Sequence, residues 1–325
     1  MSICPLCNSL GKQIRKYSCN DYVKGYEHIY NEKIALDMFK TDYSLYRCCK
    51  CDLVYAVPLL SGSDEFYTWV TKHKGYYPSK DTPRWEWMQT IQWIQKKNIK
   101  SILEVGCGEG AFLEYCKENL EDIECFGIDM TKSSCDKAAE KGLKVYCGTI
   151  EEYLNMNPNK KFDIVVSFHC LEHVENPKEV AQEMLVACSK KGICINSFPY
   201  SDLRIEPWMD CNNLPPHHMT RWCEKACREL GEQINADVEL VSPVPLSVYE
   251  YTKETLVNLF FSLYDRNGVN RRKLMLKCLR HPVQVISEIY RNLRRDFIYA
   301  SSELGGETTC RRAAQVVMIV LKRKI

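Results

Sequence analysis

No run of about 18 consecutive apolar residues occurs in the 325-residue chain, the length a helix needs to cross a bilayer, so a transmembrane helix is not expected. The opening MSICPLCNSL lacks a basic segment followed by a long apolar one, and a signal peptide is not expected either. Charge of one sign is missing as well. Lys+Arg 44 against Asp+Glu 42 leaves a net charge of +2, which removes a global attraction to nucleic acid or to an anionic membrane. There is no internal repeat and no low-complexity tract. With 45% hydrophobic and 26% charged residues, the composition is that of a globular protein rather than a disordered or fibrous one. At about 150 residues per domain, the length suggests one large domain or two.

What the chain has in excess is cysteine, 19 in all. The number is odd, so disulfides could not use every one. Without a secretory signal, the expected compartment is the reducing cytoplasm, where spaced cysteines read as metal ligands before they read as disulfides. Six lie in the first 55 residues: Cys4, Cys7, Cys19, Cys48, Cys49 and Cys51. Cys4-x2-Cys7 and Cys48-x2-Cys51 are two knuckles about 40 residues apart. Each can supply two thiolates, and together they complete a tetrahedral Cys4 zinc site. A segment of some 50 residues can bury little apolar surface, so a metal staple fits there. Four thiolates leave no open position on the ion, and the expected zinc is structural. Cys19 and Cys49 are left over.

From Lys100 onward short apolar runs alternate with amphipathic ones. The runs at Ser101–Val105, Cys125–Ile128, Leu143–Tyr146, Phe162–Phe168 and Ile193–Phe198 read as strands. Ala111–Leu120, Ser133–Lys141 and Pro177–Cys188 read as helices. Such alternation predicts an α/β fold with a parallel sheet, right-handed crossovers and helices on both faces. After Tyr200 the alternation stops. A helix from Trp222, a strand near Val238–Ser242 and a last strand in Ala313–Leu321 are expected. Three segments result: a zinc-binding ribbon over 1–55, an aromatic helical linker and possible-lid segment over 56–98 with a helix following Pro83, and an α/β domain over 99–325. Its residues 244–312 form a helical insertion before the last strand. Within that insertion Arg266 to Arg295 carries nine Lys/Arg and one acidic residue.

The run Ser101-Ile-Leu-Glu-Val-Gly-Cys-Gly-Glu-Gly110 sets three glycines between a predicted strand and a predicted helix. Glycine lets the backbone turn sharply and approach a ligand at the helix N-terminus. Asp129 ends the next predicted strand, placed to accept hydrogen bonds from ribose hydroxyls. The third glycine comes one residue too early for a dinucleotide fingerprint. Glu104 beside the loop would repel a pyrophosphate and suits a cofactor with a cationic end, which points to S-adenosylmethionine. The segments ILEVGCGEG, GIDM and FDIVVSFHCLEHVENP resemble the motifs of class I S-adenosylmethionine-dependent methyltransferases over roughly residues 100–200. The resemblance implies a Rossmann-like seven-stranded sheet with an antiparallel final hairpin. It further implies that Glu104, Gly106 and Gly108 line the methionine end of the cofactor, that Asp129 holds the ribose and that Met130 packs on the adenine. Ile150 and Glu151 become candidates for the adenine site, and His169 approaches the cofactor from the end of the fourth strand. Cys107, inside the loop, is expected to pack rather than react. For His173, a backbone-satisfied helix-start residue and a catalytic one are both open.

The segment Tyr46-Arg-Cys-Cys-Lys-Cys-Asp-Leu-Val-Tyr55 resembles the zinc-ribbon preface of a bacterial methyltransferase subgroup that includes nucleotide-sugar C-methyltransferases. Leu214-Pro-Pro-His-His-Met-Thr-Arg-Trp222, after the fifth strand, has relatives in that subgroup. An imidazole there could remove a proton from the acceptor, with His218 as base and His217 in support. Two alternatives for this region are histidines that cap the following helix, and a second metal site from Cys211, His217, His218, Cys223 and Cys227. Tyr67, Tyr76 and Tyr77 are candidates for a lid, and Arg84 for the cofactor carboxylate. The expected activity is methyl transfer to a small polar acceptor, a sugar or nucleotide-linked sugar being favoured by the subgroup resemblance. Its rivals are an RNA or tRNA base methyltransferase that clamps nucleic acid with the ribbon, and a non-catalytic interaction module. Near-zero net charge counts against the first and the intact glycine loop against the second. The basic stretch 274–297 is a candidate for peripheral membrane contact.

Overall fold

Alternation of apolar runs with amphipathic helices produces the expected sheet. In the computed structural model, described over residues 1–30, 32–34, 38–39, 41–73, 77–96, 99–199, 213–241 and 316–324, the elements follow in this order. The strands are β1 (Ser2–Ile3), β2 (Leu10–Tyr17), β3 (Tyr43–Cys48), β4 (Val54–Val57), β5 (Ser101–Val105), β6 (Glu124–Asp129), β7 (Lys144–Cys147), β8 (Phe162–Phe168), β9 (Cys188–Pro199), β10 (Thr220–Arg221), β11 (Ala236–Val241) and β12 (Val316–Arg323). The helices are α1 (Cys19–Tyr30), α2 (Asp64–Thr71), α3 (Trp85–Gln95), α4 (Ala111–Asn119), α5 (Lys132–Glu140), α6 (Ile150–Met156), α7 (Pro177–Ala187) and α8 (Glu224–Gln233).

The main sheet has the order β11-β12-β9-β8-β5-β6-β7. Strands β9, β8, β5, β6 and β7 are mutually parallel, while β12 runs antiparallel to both β9 and β11. The central strands are near-continuous apolar runs, as strands buried on both faces must be. On one face the core gathers Leu103, Val165 and Leu185, and on the other Ile102, Phe112 and Val166. The sheet order runs from β5 to β6 and β7 on one side and returns to β8 on the other, so the carboxyl ends of β5 and β8 flank the crevice where α/β sheets hold ligands.

The second sheet is antiparallel, in the order β1-β2-β3-β4-β10. Four of its strands come from the first 57 residues and the fifth from Thr220–Arg221, which pairs with Tyr55 and Val54. Its apolar face packs an aromatic cluster of Tyr17, Tyr22, Tyr26, Tyr43, Phe66 and Trp69. All described cysteines are free thiols. The helix expected after Pro83 starts at Trp85 with Arg84 as its N-cap, so the proline stands just outside the first turn. No helix among the described residues is long and apolar enough to cross a membrane. The 244–312 insertion, with the basic 266–295 and 274–297 stretches, lies outside the described residues, as do Cys211 and Tyr76.

Candidate functional site

The strand–loop–helix turn after β5 is built on two glycines that no other residue could replace without strain. Gly106 and Gly108 have φ of +77° and +52°, the left-handed region where a Cβ is penalised. A Cβ on Gly106 would lie 2.7 Å from Cys170 Sγ, and one on Gly108 would lie 2.6 Å from the Tyr77 ring. The turn is clamped to β6, because the N–H groups of Gly106 and Cys107 both donate to the Ile128 carbonyl at 2.8 and 3.0 Å. Asp129 completes the clamp. Its Oδ2 accepts the Gly108 N–H at 2.8 Å and its Oδ1 the Thr131 N–H at 2.8 Å. Burial raises the Asp129 pKa, and those two backbone donors hold it back.

Glu104 points into this turn from the last-but-one position of β5 and is 4% exposed. Among the described residues its Oε2 has no hydrogen-bond partner. Burial, reinforced by the nearby Asp129 charge, pushes its carboxyl well above the usual carboxylate range, and Arg84 opposes that only weakly. A buried acceptor left without a donor is costly in a folded chain. Here it stands where a cationic ligand group would satisfy it. Cys107, by contrast, is buried with its thiol pKa raised by desolvation, and its Sγ packs against Gly127. It is a packing residue.

A cavity of about 480 Å³ opens from this turn, within the range of small-molecule and cofactor sites. One wall holds Glu104, Gly106, Cys107, Gly108 and Asp129. The opposite wall holds His169, Glu172, His173, His217 and His218. Tyr67 and Tyr77 border it, Tyr77 through a 2.9 Å hydrogen bond with Ser134 Oγ. Arg84 lines it too, with Nη1 3.9 Å from Glu86 Oε1.

Three of the expected cofactor residues are not in this wall. Met130 is 73% exposed beyond the end of β6. Ile150 begins α6 and is packed in the core, because Thr149 and Glu152 form a reciprocal capping box that starts the helix there and turns Ile150 inward. Glu151 is exposed on the first turn of the same helix.

The histidine wall comes from two chain segments joined by backbone bonds. The loop after β8 carries His169, Glu172 and His173, and the Glu172 carbonyl accepts the N–H groups of Met219 and Thr220 at 2.7 and 3.2 Å. His217 and His218 are thereby held against His173, with ring centroids 4.6 and 4.7 Å from it and 4.9 Å from each other. His173 Nδ1 lies 2.7 Å from the His217 carbonyl oxygen and must donate to it. His218 Nδ1 lies 3.0 Å from Asn213 Oδ1. Burial lowers the pKa of His173 and, reinforced by the neighbouring His173 and His217 rings, carries that of His218 well below its ordinary value. His169 differs. Burial alone would lower its pKa, but Glu172 and Glu86, at 3.5 and 3.1 Å, raise it. Its backbone has φ +54°, an uncommon conformation for a residue with a side chain.

Sequence reasoning did not find Glu86 and Glu172. Each is 1% exposed, yet each reads in sequence as an ordinary charged residue, Glu86 between Trp85 and Trp87 and Glu172 between Leu171 and His173. For Glu172 the signal is its spacing, three after His169 and one before His173. Of the five-residue metal alternative, Cys211 lies outside the described residues, and the two described cysteines do not join the histidines. Cys223 and Cys227 are buried in the core, where Cys223 Sγ faces the Cys51 carbonyl at 3.8 Å. Nor do the two histidines cap the following helix, which starts at Glu224 with Cys223 as N-cap.

At the other end of the second sheet, Cys4, Cys7, Cys48 and Cys51 form one cluster. Their Sγ···Sγ distances of 3.4 Å (Cys7–Cys48), 3.7 Å (Cys7–Cys51) and 3.7 Å (Cys4–Cys51) compare with about 3.8 Å between thiolates around a tetrahedral zinc with ~2.3 Å bonds. The knuckles are alike. The residue after each second cysteine, Asn8 and Asp52, has positive φ. At the second knuckle the N–H groups of Lys50 and Cys51 donate to Cys48 Sγ at 3.3 and 3.4 Å.

Residues 103–196 match the methyltransferase-domain family. Over 213 residues the chain is 26% identical to ajmaline N-methyltransferase of Rauvolfia serpentina, covering 61% of this chain and 66% of that one. Over 97 residues it is 35% identical to the ubiquinone biosynthesis O-methyltransferase of Vibrio atlanticus, covering 28% and 38%. The chain thus spans just under two thirds of the first relative and about two fifths of the second. Among solved structures, a SAM-dependent methyltransferase from Archaeoglobus fulgidus overlaps 79% of this chain and 100% of its own at 18% identity and a TM-score of 0.47. The segment Leu103 to Asn196, which contains the glycine turn, Glu104, Asp129 and His169, is thus similar to the methyltransferase-domain family.

Proposed function

We propose that this protein transfers a methyl group from S-adenosylmethionine to a small polar acceptor held between the glycine turn and the histidine wall. The observation that carries the reading is Glu104, a buried carboxylate with an unsatisfied oxygen, set beside an Asp129-clamped glycine turn in a segment similar to the methyltransferase-domain family. S-adenosylmethionine supplies an electrophilic methyl group and has a cationic amino-acid end with no phosphate. Glu104 fits the ammonium. Asp129 has lone pairs left for ribose hydroxyls after accepting its two backbone donors. Tyr77 covers the turn and keeps water from it. Positioning and desolvation of the two reactants are then the protein's main contribution. The acceptor's proton goes to His218, which burial keeps neutral, with its Nδ1 facing Asn213, and His217 stacked beside it in support. An imidazolium formed there is compensated through His173 by the buried Glu172 carboxylate.

For the acceptor we favour a sugar or nucleotide-linked sugar, on the resemblance of the cysteine ribbon and the PPHH segment. The four-cysteine cluster is read as a structural zinc site, supported by its near-tetrahedral sulfur spacing. Calorimetry with S-adenosylmethionine and S-adenosylhomocysteine tests the cofactor. Micromolar binding of both is expected, and no binding of either defeats the proposal. Incubating the enzyme with radiolabelled S-adenosylmethionine and a panel of nucleotide sugars tests the acceptor. Label passing to an amine or phenol and to no sugar would reject the sugar class while leaving methyl transfer in place.

A further inference from the structure

We infer that His173, His217 and His218 hold a divalent transition-metal ion in the acceptor half of the cavity, with an oxygen atom of the acceptor as a further ligand. The inference rests on the methyl-transfer reading above and makes its acceptor site metal-dependent.

The geometry supports it in three ways. The three imidazoles each offer a ring nitrogen, and these atoms lie within 4.8 Å of one another. Around a tetrahedral ion with ~2.1 Å bonds the ligand atoms are about 3.4 Å apart, so closure needs shifts on the order of 1 Å, within reach of small side-chain rotations. Second, the tautomers are set for ligation. His173 donates its Nδ1–H to the His217 carbonyl, and His218 has its Nδ1 on Asn213 Oδ1. Both contacts leave Nε2 with its lone pair, the arrangement in which an outer hydrogen bond orients a metal-bound histidine. Third, Glu172 lines the same cavity at 1% exposure, and among the described residues neither of its carboxylate oxygens has a hydrogen-bond partner. Its Oε1 is 3.5 Å from His169 Nδ1 and 4.0 Å from His173 Nε2. A buried carboxylate is expensive unless positive charge stands near it, and a cation between the imidazoles adds to what His169 can supply when protonated.

Three imidazoles favour zinc, iron, nickel or copper over magnesium or calcium, which prefer oxygen ligands. Three protein ligands also leave at least one position open, as catalytic rather than structural sites do. An acceptor hydroxyl bound there loses its proton more readily. The O–H bond breaks, the proton passes to a Glu172 carboxylate oxygen, and the electron pair stays on the acceptor oxygen beside the ion. In this form of the site His218 is a ligand, and the proton's destination moves from His218 to Glu172. An acceptor with two adjacent oxygens, such as a vicinal diol or a hydroxyl next to a carbonyl, is the class best able to chelate the open positions.

The test is metal stoichiometry on the full chain, stripped with chelator and refilled with Co²⁺, for wild type, Cys51→Ser and His218→Gln, with His173→Gln as a second imidazole variant. The expected wild-type content is two ions per chain. Cys51→Ser should lose the ion with thiolate charge-transfer absorption. The histidine variants should lose the other ion and keep that absorption. Each preparation is also titrated with S-adenosylhomocysteine, whose unchanged affinity shows that a histidine variant is folded. If wild type binds S-adenosylhomocysteine but its only cobalt is the thiolate ion, unaffected by either histidine change, the imidazole site is refuted and methyl transfer stands. If wild type binds neither S-adenosylhomocysteine nor S-adenosylmethionine, the methyl-transfer reading itself fails and the acceptor role of the ion fails with it.

Discussion

Replacing Glu104 by glutamine separates what this residue does for the ligand from what it does for the fold. Glutamine keeps the shape and one acceptor oxygen but removes the charge. Glu104 is almost fully buried and its Oε2 is unpartnered among the described residues, so the apoprotein carries an uncompensated acid that desolvation forces toward its neutral form. An acid whose folded pKa is raised stabilises the fold below the usual carboxylate range and loses that contribution as pH rises above it, because the unfolded chain then releases the proton more easily. The apo wild type should therefore lose thermal stability between pH 5 and pH 8 more steeply than Glu104→Gln. Some slope should remain in the variant, since Asp129 is shifted in the same direction. Cofactor affinity should move the other way. Loss of a charge-assisted hydrogen bond is worth about 1.5–3 kcal/mol, or roughly 10- to 150-fold in Kd at 1.4 kcal/mol per decade. Differential scanning calorimetry of the apo forms and isothermal titration with S-adenosylhomocysteine give both quantities. In buffers of different ionisation enthalpy, wild-type binding should also release a proton, which the variant does not. An affinity within threefold of wild type, or an apo melting temperature that drops in parallel with affinity, would show that Glu104 is an ordinary structural acid and refute the reasoning.

Four further outcomes follow from the same geometry. Asp129→Asn leaves one acceptor where two backbone N–H groups are now held, and calorimetric titration should show at least about tenfold weaker cofactor binding, in line with one charged hydrogen bond lost. Gly106→Ala forces a side chain into φ +77° and against Cys170 Sγ; denaturant unfolding should show a loss of about 1–3 kcal/mol, only partly recovered when Cys170→Ala opens the space. Cys51→Ser should abolish the metal binding proposed for the ribbon and speed amide exchange across β1–β4, while Thr149→Ala, which breaks only the α6 capping box, should cost about 1 kcal/mol and leave cofactor affinity unchanged.

The parts of this fold visible in sequence are those where a single physical rule decides the local structure. Strands β5 and β8 run over Ser101–Val105 and Phe162–Phe168 as their apolar runs predict, because strands buried on both faces admit nothing else. The glycine turn was legible for the same reason, since positive φ and close approach demand glycine. Where tertiary contacts decide, the signal fades. Strand β9 begins at Cys188 rather than Ile193, its added residues including the polar Ser189-Lys-Lys stretch, and its pairing with β8 shifts register near Phe162. Strand β10 is two residues long and exists because Thr220 and Arg221 meet Tyr55 and Val54, a contact between segments 165 positions apart that no local pattern announces. Glu86 and Glu172 are buried for similar reasons. Their neighbours in sequence are ordinary, and only the packing of α3 and the post-β8 loop around His169 takes them out of water.

That long-range pairing also gives the ribbon a purpose beyond its own stability. The PPHH segment is the short connection that enters β10, and β10 is an edge strand of the ribbon sheet. On its far side the chain passes through Trp222 into α8, which is tied to the second cysteine knuckle by ion pairs Lys50–Glu229 at 2.6 Å and Lys225–Asp52 at 3.1 Å and by the packing of Cys223 on the Cys51 carbonyl. The segment just after β4 reaches the post-β8 loop as well, through the Ser61 N–H and hydroxyl on Glu175 Oε1, both at 2.9 Å. His217 and His218 are therefore held from the ribbon side by β4 and from the domain side by the Glu172 carbonyl. A loop outside the parallel sheet is free to wander unless something rigid anchors it, and imidazoles that act on a substrate must be fixed to within a fraction of an ångström. A small sheet stapled by the zinc proposed at Cys4, Cys7, Cys48 and Cys51 would be such an anchor. On this argument the cysteines and the His217–His218 pair, more than 160 residues apart in sequence, are two ends of one positioning device, and loosening the knuckles should disturb the acceptor side of the cavity before it disturbs the cofactor side.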